Sequence, residues 1–331
     1  MYKKLKGQIE QISKENDFSG VVSIYKGEES LYERAFGFRD VDKELMIDLD
    51  TRFGIASGTK FVTSLAVSVL VESGTLSFNA KVGDLDSSFK GFIDPEATIW
   101  HVLCHTSGMY DYYDEDLVPD MENFYIEIPW SFLESPLDYL PLFRKRKMKG
   151  RAGIGYAYCN GGYVLLGAII EKITGMTYGE FVQGHVLGPA GMSDSGFFRL
   201  DQLPSNTARG ILNDRKTTNT FRIPICGGGD GGMYTSSRDI RKLWRAYYDC
   251  ELLDRSTRDE LSKVYGKYNR YLDIACSAYR GVGKEFYFIE GCDAGVGFFS
   301  KYSPNDDVVF SVLSNVTAGA GCFEDVALEM G

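Results

Sequence analysis

The chain has 331 residues, 44% hydrophobic and 25% charged, a globular balance with room for one large domain or two sharing an interface. Its formal net charge of -10 excludes nucleic acid or an anionic membrane as the main partner, because both attract basic surfaces. Seven cysteines without a C-x-x-C pair, and only three histidines, speak against a disulfide framework, a zinc ribbon or a His-rich metal site.

Residues 1–16 carry charge but no apolar core segment, so no secretory signal is read there and a cytoplasmic location is expected. Leu5, Ile9 and Ile12 give residues 3–16 a weak helical pattern. Residues 20–27 are predicted as a strand, with 30–38 returning as a hairpin partner across Lys26-Gly27-Glu28. A helix is predicted over 57–73 from the spacing of Phe61, Leu65, Val69 and Leu70, and Gly74 closes it. From about residue 80 to 235 the texture changes to polar loops, aromatic clusters and helices, one of them over 160–174 with Tyr163, Leu166, Ile170 and Ile173. Its apolar run, Val164 to Ile170, is far shorter than the roughly 20 residues of a membrane span. Another helix is predicted over 236–249, then strands over 285–289, 296–302 and 308–314. Strands at both ends predict one mixed sheet built from both termini. The expected division is an α/β domain of residues 1–79 and 236–331, a mostly helical inserted domain of 80–235, and an active site between them.

Two motifs could carry chemistry. Ser57 and Lys60 stand three apart at the start of a predicted helix, which puts both side chains on one face. A helix N-terminus offers free N–H groups and favours developing negative charge. A lysine beside a hydroxyl can orient it or, when desolvated, take its proton. The same two residues would serve equally well as an N-cap and a snorkelling lysine. Tyr158-Cys159-Asn160 precedes the helix over 160–174. A tyrosine can relay a proton and an asparagine can hold a substrate amide or a lysine; a buried tyrosine and a cap are the plainer explanation.

Together the motifs bring out a resemblance. Ser57-Gly58-Thr59-Lys60, Leu103 to Gly108 with His105-Thr106-Ser107-Gly108, Tyr158 to Gly167, Leu187 to Met192, and Gly228 to Thr235 followed by Asp239 stand in one order. In that order they resemble the serine beta-lactamase and penicillin-binding protein superfamily, in its branch of class C beta-lactamases, D,D-peptidases and esterases. The resemblance spans roughly residues 18–315. It implies an α/β (α+β) transpeptidase-like fold, with a central antiparallel sheet from both termini flanked by helices and a helical inserted lobe. It also implies Ser57 as acylated nucleophile, Lys60 and Tyr158 sharing acid and base work, and Asn160 orienting substrate or Lys60. No metal or organic cofactor is implied.

One segment departs from the family. The third motif, a Lys or His on a C-terminal strand, is expected before a Gly-Phe pair. Counting back from Gly297-Phe298 puts that cation near Gly291, within Glu290-Gly291-Cys292-Asp293-Ala294-Gly295, where there is none. Asp293 is expected to face substrate instead, and Ala294 to supply the second oxyanion N–H. Gly227 to Gly232 reads as a turn approaching the cleft, His105 as a brace within its loop, and Tyr110 to Asp116 as either a rim of the cleft or a solvated loop. The function read from all this is a serine hydrolase acting on small esters, amides or D-amino-acid peptides. The alternative is a binding or acylation-sensing module with weakened turnover.

Overall fold

The computed structural model describes residues 2–276 and 278–330. Among these, one antiparallel sheet of eight strands dominates. Its strands are β1 (Gly20–Lys26), β2 (Glu29–Phe36), β3 (Gly266–Lys267), β4 (Leu272–Ile274), β5 (Tyr279–Gly281), β6 (Tyr287–Asp293), β7 (Val296–Ser303) and β8 (Val308–Ser314). The order β2-β1-β8-β7-β6-β5-β4-β3 places the N-terminal hairpin directly against the last strand. Gly20 pairs with Ser314 and Lys26 with Val308. The sheet is antiparallel and built from both termini, as the resemblance implied.

Helices cover both faces of the sheet. Helix α1 (Tyr2–Glu15) brings Leu5 and Ile9 onto Val22, Ile24, Phe288, Phe299 and Phe310. On the opposite face lie α2 (Thr59–Glu72), α3 (Asn160–Thr174) and α4 (Ser237–Tyr248), whose side chains share a core with Val21, Ile289, Phe298 and Leu313. A short final helix, α5 (Glu324–Glu329), closes the α1 side. Strand β8 is buried at every position, as are strands whose two faces both meet helices. Its serines survive burial through partners. Ser311 and Ser300 hydroxyls share a 2.8 Å hydrogen bond, and Trp244 Nε1 donates to Ser300 at 2.8 Å.

Helix α3 starts where Cys159 caps it and ends at Gly175, whose left-handed φ of 71° suits a glycine. Helix α2 starts two residues later than predicted. Ser57 belongs to a preceding 3-10 turn, Ala56–Gly58, entered through a left-handed Ala56 with φ of 43°. That conformation is costly for alanine and persists where surroundings enforce it. Here the enforcing contacts are a two-residue strand pair, Phe53–Gly54 with Tyr234–Thr235, and the Ile55 N–H donating to Met233 O at 3.0 Å. No helix among the described residues is long and apolar enough to cross a membrane.

Candidate active site

Ser57, Lys60, Tyr158 and Asn160, drawn from two distant segments, converge at one point. Lys60 Nζ donates to Ser57 Oγ at 2.8 Å, to Asn160 Oδ1 at 2.7 Å and to the Asp230 carbonyl at 2.7 Å. Three bonds use all three ammonium hydrogens, so Lys60 is held with no donor to spare. Tyr158 OH donates to Ser57 Oγ at 2.9 Å from the other side. Asn160 is itself fixed, with Nδ2 donating to Tyr113 O at 2.8 Å and Glu115 Oε1 at 3.0 Å.

Burial lowers the Lys60 pKa below the ordinary lysine range, while Asp230, Glu115, Asp111 and Asp293 pull it back up. Burial also raises the Tyr158 phenol well above its usual value, with the Glu115 charge adding to the rise. His105 stacks on Tyr158, with ring centres 4.5 Å apart. Its Nδ1 accepts from the Cys159 N–H at 3.0 Å, and burial, helped by the Lys60 charge, pushes its pKa down to about 3. His105 is thus a neutral brace for the tyrosine segment. The start of α3 is anchored by Asp111, whose carboxylate accepts from the N–H groups of Asn160 and Gly161, each at 2.8 Å. An acceptor at a helix N-terminus satisfies N–H groups the helix itself leaves unpaired.

The glycine-rich turn does approach the cleft, and it brings in a residue that the motif reading had not singled out. Asp230 supplies the third acceptor for Lys60, and its carboxylate accepts from Tyr112 OH at 2.6 Å. The only sequence signal for this role was one acid inside a run of glycines.

The C-terminal strand corrects the earlier count. A Cβ on Gly291 would stand 2.1 Å from Ile55 O and 2.7 Å from Ser57 N. No side chain fits there, so a lysine or histidine could not have occupied that position. The residue on the same face, two back along β6, is Ile289, which is buried and lines the cavity beside Ser57. A side chain reaching the cavity from this face therefore stands at 289, two residues before the counted position.

Asp293 and Ala294 are also not where they were expected. Both lie at the β6–β7 hairpin tip, outside the lining of the cavity. The Ala294 N–H already donates to Asp293 Oδ1 at 2.8 Å, and Ala294 packs with Leu212 and Ile223. The Ala294 N–H is thus already taken, while the charges of Lys60, Asp230 and Glu115 still act on Asp293. Along β6 the even-numbered residues turn their backbone groups away from β7. Phe286 O accepts from Gly281 N at 2.9 Å, and Phe288 pairs with Tyr279 of β5. By the same alternation the Cys292 N–H faces the edge that β5 leaves open beside the Ser57 turn.

The cavity around Ser57 has a volume of about 530 Å³ and runs over that edge from Lys60 and Tyr158 to Glu290 and Glu324. Among the described residues, no group of three or more His, Cys, Asp or Glu side chains is arranged to hold a metal ion.

A family model described as Beta-lactamase matches residues 5–327. Penicillin-binding protein 4* of Bacillus subtilis (strain 168) is 26% identical over 273 residues, which are 78% of this chain and 58% of that protein. The chain thus spans little more than half the length of that relative. The crystal structure of a penicillin binding protein from Bacillus halodurans superposes with a TM-score of 0.90 at 33% identity, covering 96% of this chain and 98% of that one. D-amino acid amidase from Ochrobactrum anthropi SV3 shares the fold, with a TM-score of 0.78 at 19% identity over 98% of this chain and 97% of that one.

Proposed function

Because the chain belongs to the Beta-lactamase family, we propose that it is a serine hydrolase that forms an acyl-enzyme on Ser57. The observation that carries this reading is the double contact on one oxygen, Lys60 Nζ at 2.8 Å and Tyr158 OH at 2.9 Å from Ser57 Oγ. In the proposed cycle the Lys60–Tyr158 pair reacts one proton short, with Lys60 as the neutral amine that burial favours; Ser57 Oγ attacks a carbonyl carbon and its proton passes to that pair. The tetrahedral oxyanion rests on the N–H of Ser57 and, in place of Ala294, that of Cys292. Each such donor contributes about 10²–10³ in rate. The pair returns the proton to the leaving alcohol or amine, leaving an ester on Ser57. Water, deprotonated by the same pair, then releases the acid and restores the hydroxyl.

Asn160 orients Lys60 through Oδ1, while Tyr113 O and Glu115 take both of its amide hydrogens. The cleft lies between the sheet domain, residues 1–79 and 236–331, and the mostly helical 80–235. Small esters, amides or D-amino-acid peptides are the proposed substrates, a reading supported by the fold shared with the D-amino acid amidase. With Ile289 in the cation's place, the carboxylate of a beta-lactam gains no ion pair at this strand, so weak turnover of beta-lactams is expected. The same substitution motivates the second reading, a module that is acylated but turns over slowly.

Intact mass after treatment with a fluorophosphonate tests the proposal. A single adduct is expected on the wild type and none on Ser57→Ala. Absence of any Ser57-dependent adduct overturns it, and an adduct without ester turnover favours the slow module.

A further inference from the structure

The far half of the Ser57 cavity is built differently from the near half. Across the open edge of β6 it is lined by Glu290, Glu324 and the tyrosines Tyr156, Tyr268 and Tyr279. Glu290 is partly buried, and among the described residues no ion pair or hydrogen bond reaches its carboxylate. Burial first, and then the charges of Glu324 and Glu115, both of its own sign, push its pKa up to about 7. Two carboxylates that repel each other in a recess are unfavourable until a cation joins them.

Of the other acids on the lining, Asp114 pairs with Lys149 at 2.7 Å, Glu115 accepts from Asn160, and Asp116 is solvent-exposed. Lys60, the only lysine or arginine on the lining among the described residues, has all three hydrogens committed at the Ser57 end. Aromatic faces complete the recess. Tyr268 and Tyr279 stack with centres 4.6 Å apart, and Tyr156 lines the same recess. Carboxylates beside tyrosine rings form a surface that attracts an organic cation both by charge and by cation–π contact.

We infer that the preferred substrate is an ester or amide bearing an ammonium group, which sits against Glu290, Glu324 and the tyrosines while the scissile carbonyl lies on Ser57. This deepens the proposed function and rests on Ser57 being the nucleophile. The two ends of the substrate lie on opposite sides of a strand edge, because Glu290 and Gly291 are neighbours whose side-chain directions are opposed. The ammonium is therefore remote from the scissile carbonyl, at the end of a chain of several carbons rather than α to it.

Three nitrophenyl esters of matched length provide the test, those of aminohexanoic, acetamidohexanoic and hexanedioic acid. The expected order of kcat/KM is ammonium, then neutral, then carboxylate. About tenfold is expected between the ends at low salt, narrowing as salt rises. Glu290→Gln and Glu324→Gln are each expected to shrink the ammonium-to-carboxylate ratio severalfold. A ratio on one preparation does not depend on how much of a variant has folded. Ser57-dependent hydrolysis with a ratio near one, or a ratio that neither glutamine variant moves, overturns the inference and leaves the Ser57 reading intact. If no ester is consumed through Ser57, that reading fails. Calorimetric binding of aminohexanamide to Ser57→Ala, compared with Ser57→Ala/Glu290→Gln, then decides the charge preference by itself: loss of binding in the double variant supports it and equal binding overturns it.

Discussion

Ile289 stands beside the nucleophile where the family resemblance implies a lysine or histidine. It shares a face of β6 with Gly291 and lines the cavity, whereas Asp293 lies at the hairpin tip. Ile289→Lys is therefore expected to raise acylation by a carboxylate-bearing penicillin relative to a neutral ester by about tenfold, and Asp293→Lys to leave that ratio where it is. Rates of adduct formation with the two reagents measure it; equal ratios in both variants would remove Ile289 from the substrate's path. Asp293 carries a different expectation. Burial, with the charges of Asp230 and Glu115, raises its pKa to about 7, against the partial relief of the Ala294 N–H and Lys60. Between the unfolded value near 4 and the folded value the native state binds more protons than the unfolded chain, so this group lowers stability as pH rises through that interval. His105, pushed down to about 3, works in the opposite sense between that value and its unfolded value near 6.5. The difference between Asp293→Asn and wild type isolates the first effect. The variant's thermal midpoint is expected to gain on wild type from pH 5 to pH 8, and a constant offset would refute the assignment.

Strands and helices show where composition speaks and where it is silent. The core of β8 was readable because valine, phenylalanine and leucine crowd it. The prediction for β6 stopped at residue 289, and its last four residues, Glu290 to Asp293, went unread as strand. Glycine, cysteine and two acids do not look like a strand, yet this is the stretch that touches the nucleophile's turn. Their identities answer to close approach and to the cavity, which are tertiary demands that no local preference records. Ser57, Lys60, Tyr158 and Asn160 were legible because each lies in a short motif at a helix start. Asp230, Asp111 and Glu324 were not, since each works through a partner roughly 35 to 170 positions away. The polar chain behind β7 is an element-scale device of the same kind. Ser300→Ala leaves Trp244 Nε1 without its acceptor in a closed core. The expected cost is about 1–3 kcal/mol, read from denaturant unfolding, and an unchanged midpoint would mean that the indole has found another acceptor.

At the scale of the molecule, the sheet is sewn shut by its two ends. Strand β1 lies between β2 and β8, joining residues almost 300 positions apart, with Ser19 Oγ donating to Asn315 Oδ1 at 2.8 Å beside that seam. Closure of so long a loop is slow and must await the last strand synthesised. The site depends on the same seam, because Ser57 belongs to the early part of the chain and Gly291 to the late part. One further consequence follows from the two-residue turn Ala294-Gly295 between β6 and β7. Side chains along a strand alternate, so lengthening that hairpin by two residues would keep Gly291 under the nucleophile and Glu290 toward the recess. Lengthening it by one with β7 held would bring Cys292 against Ile55 O and abolish the fit. Variation among descendants of this chain is thus open at the tip in even steps and closed in odd ones, a parity rule under which the outer hairpin can drift while the catalytic edge stays still.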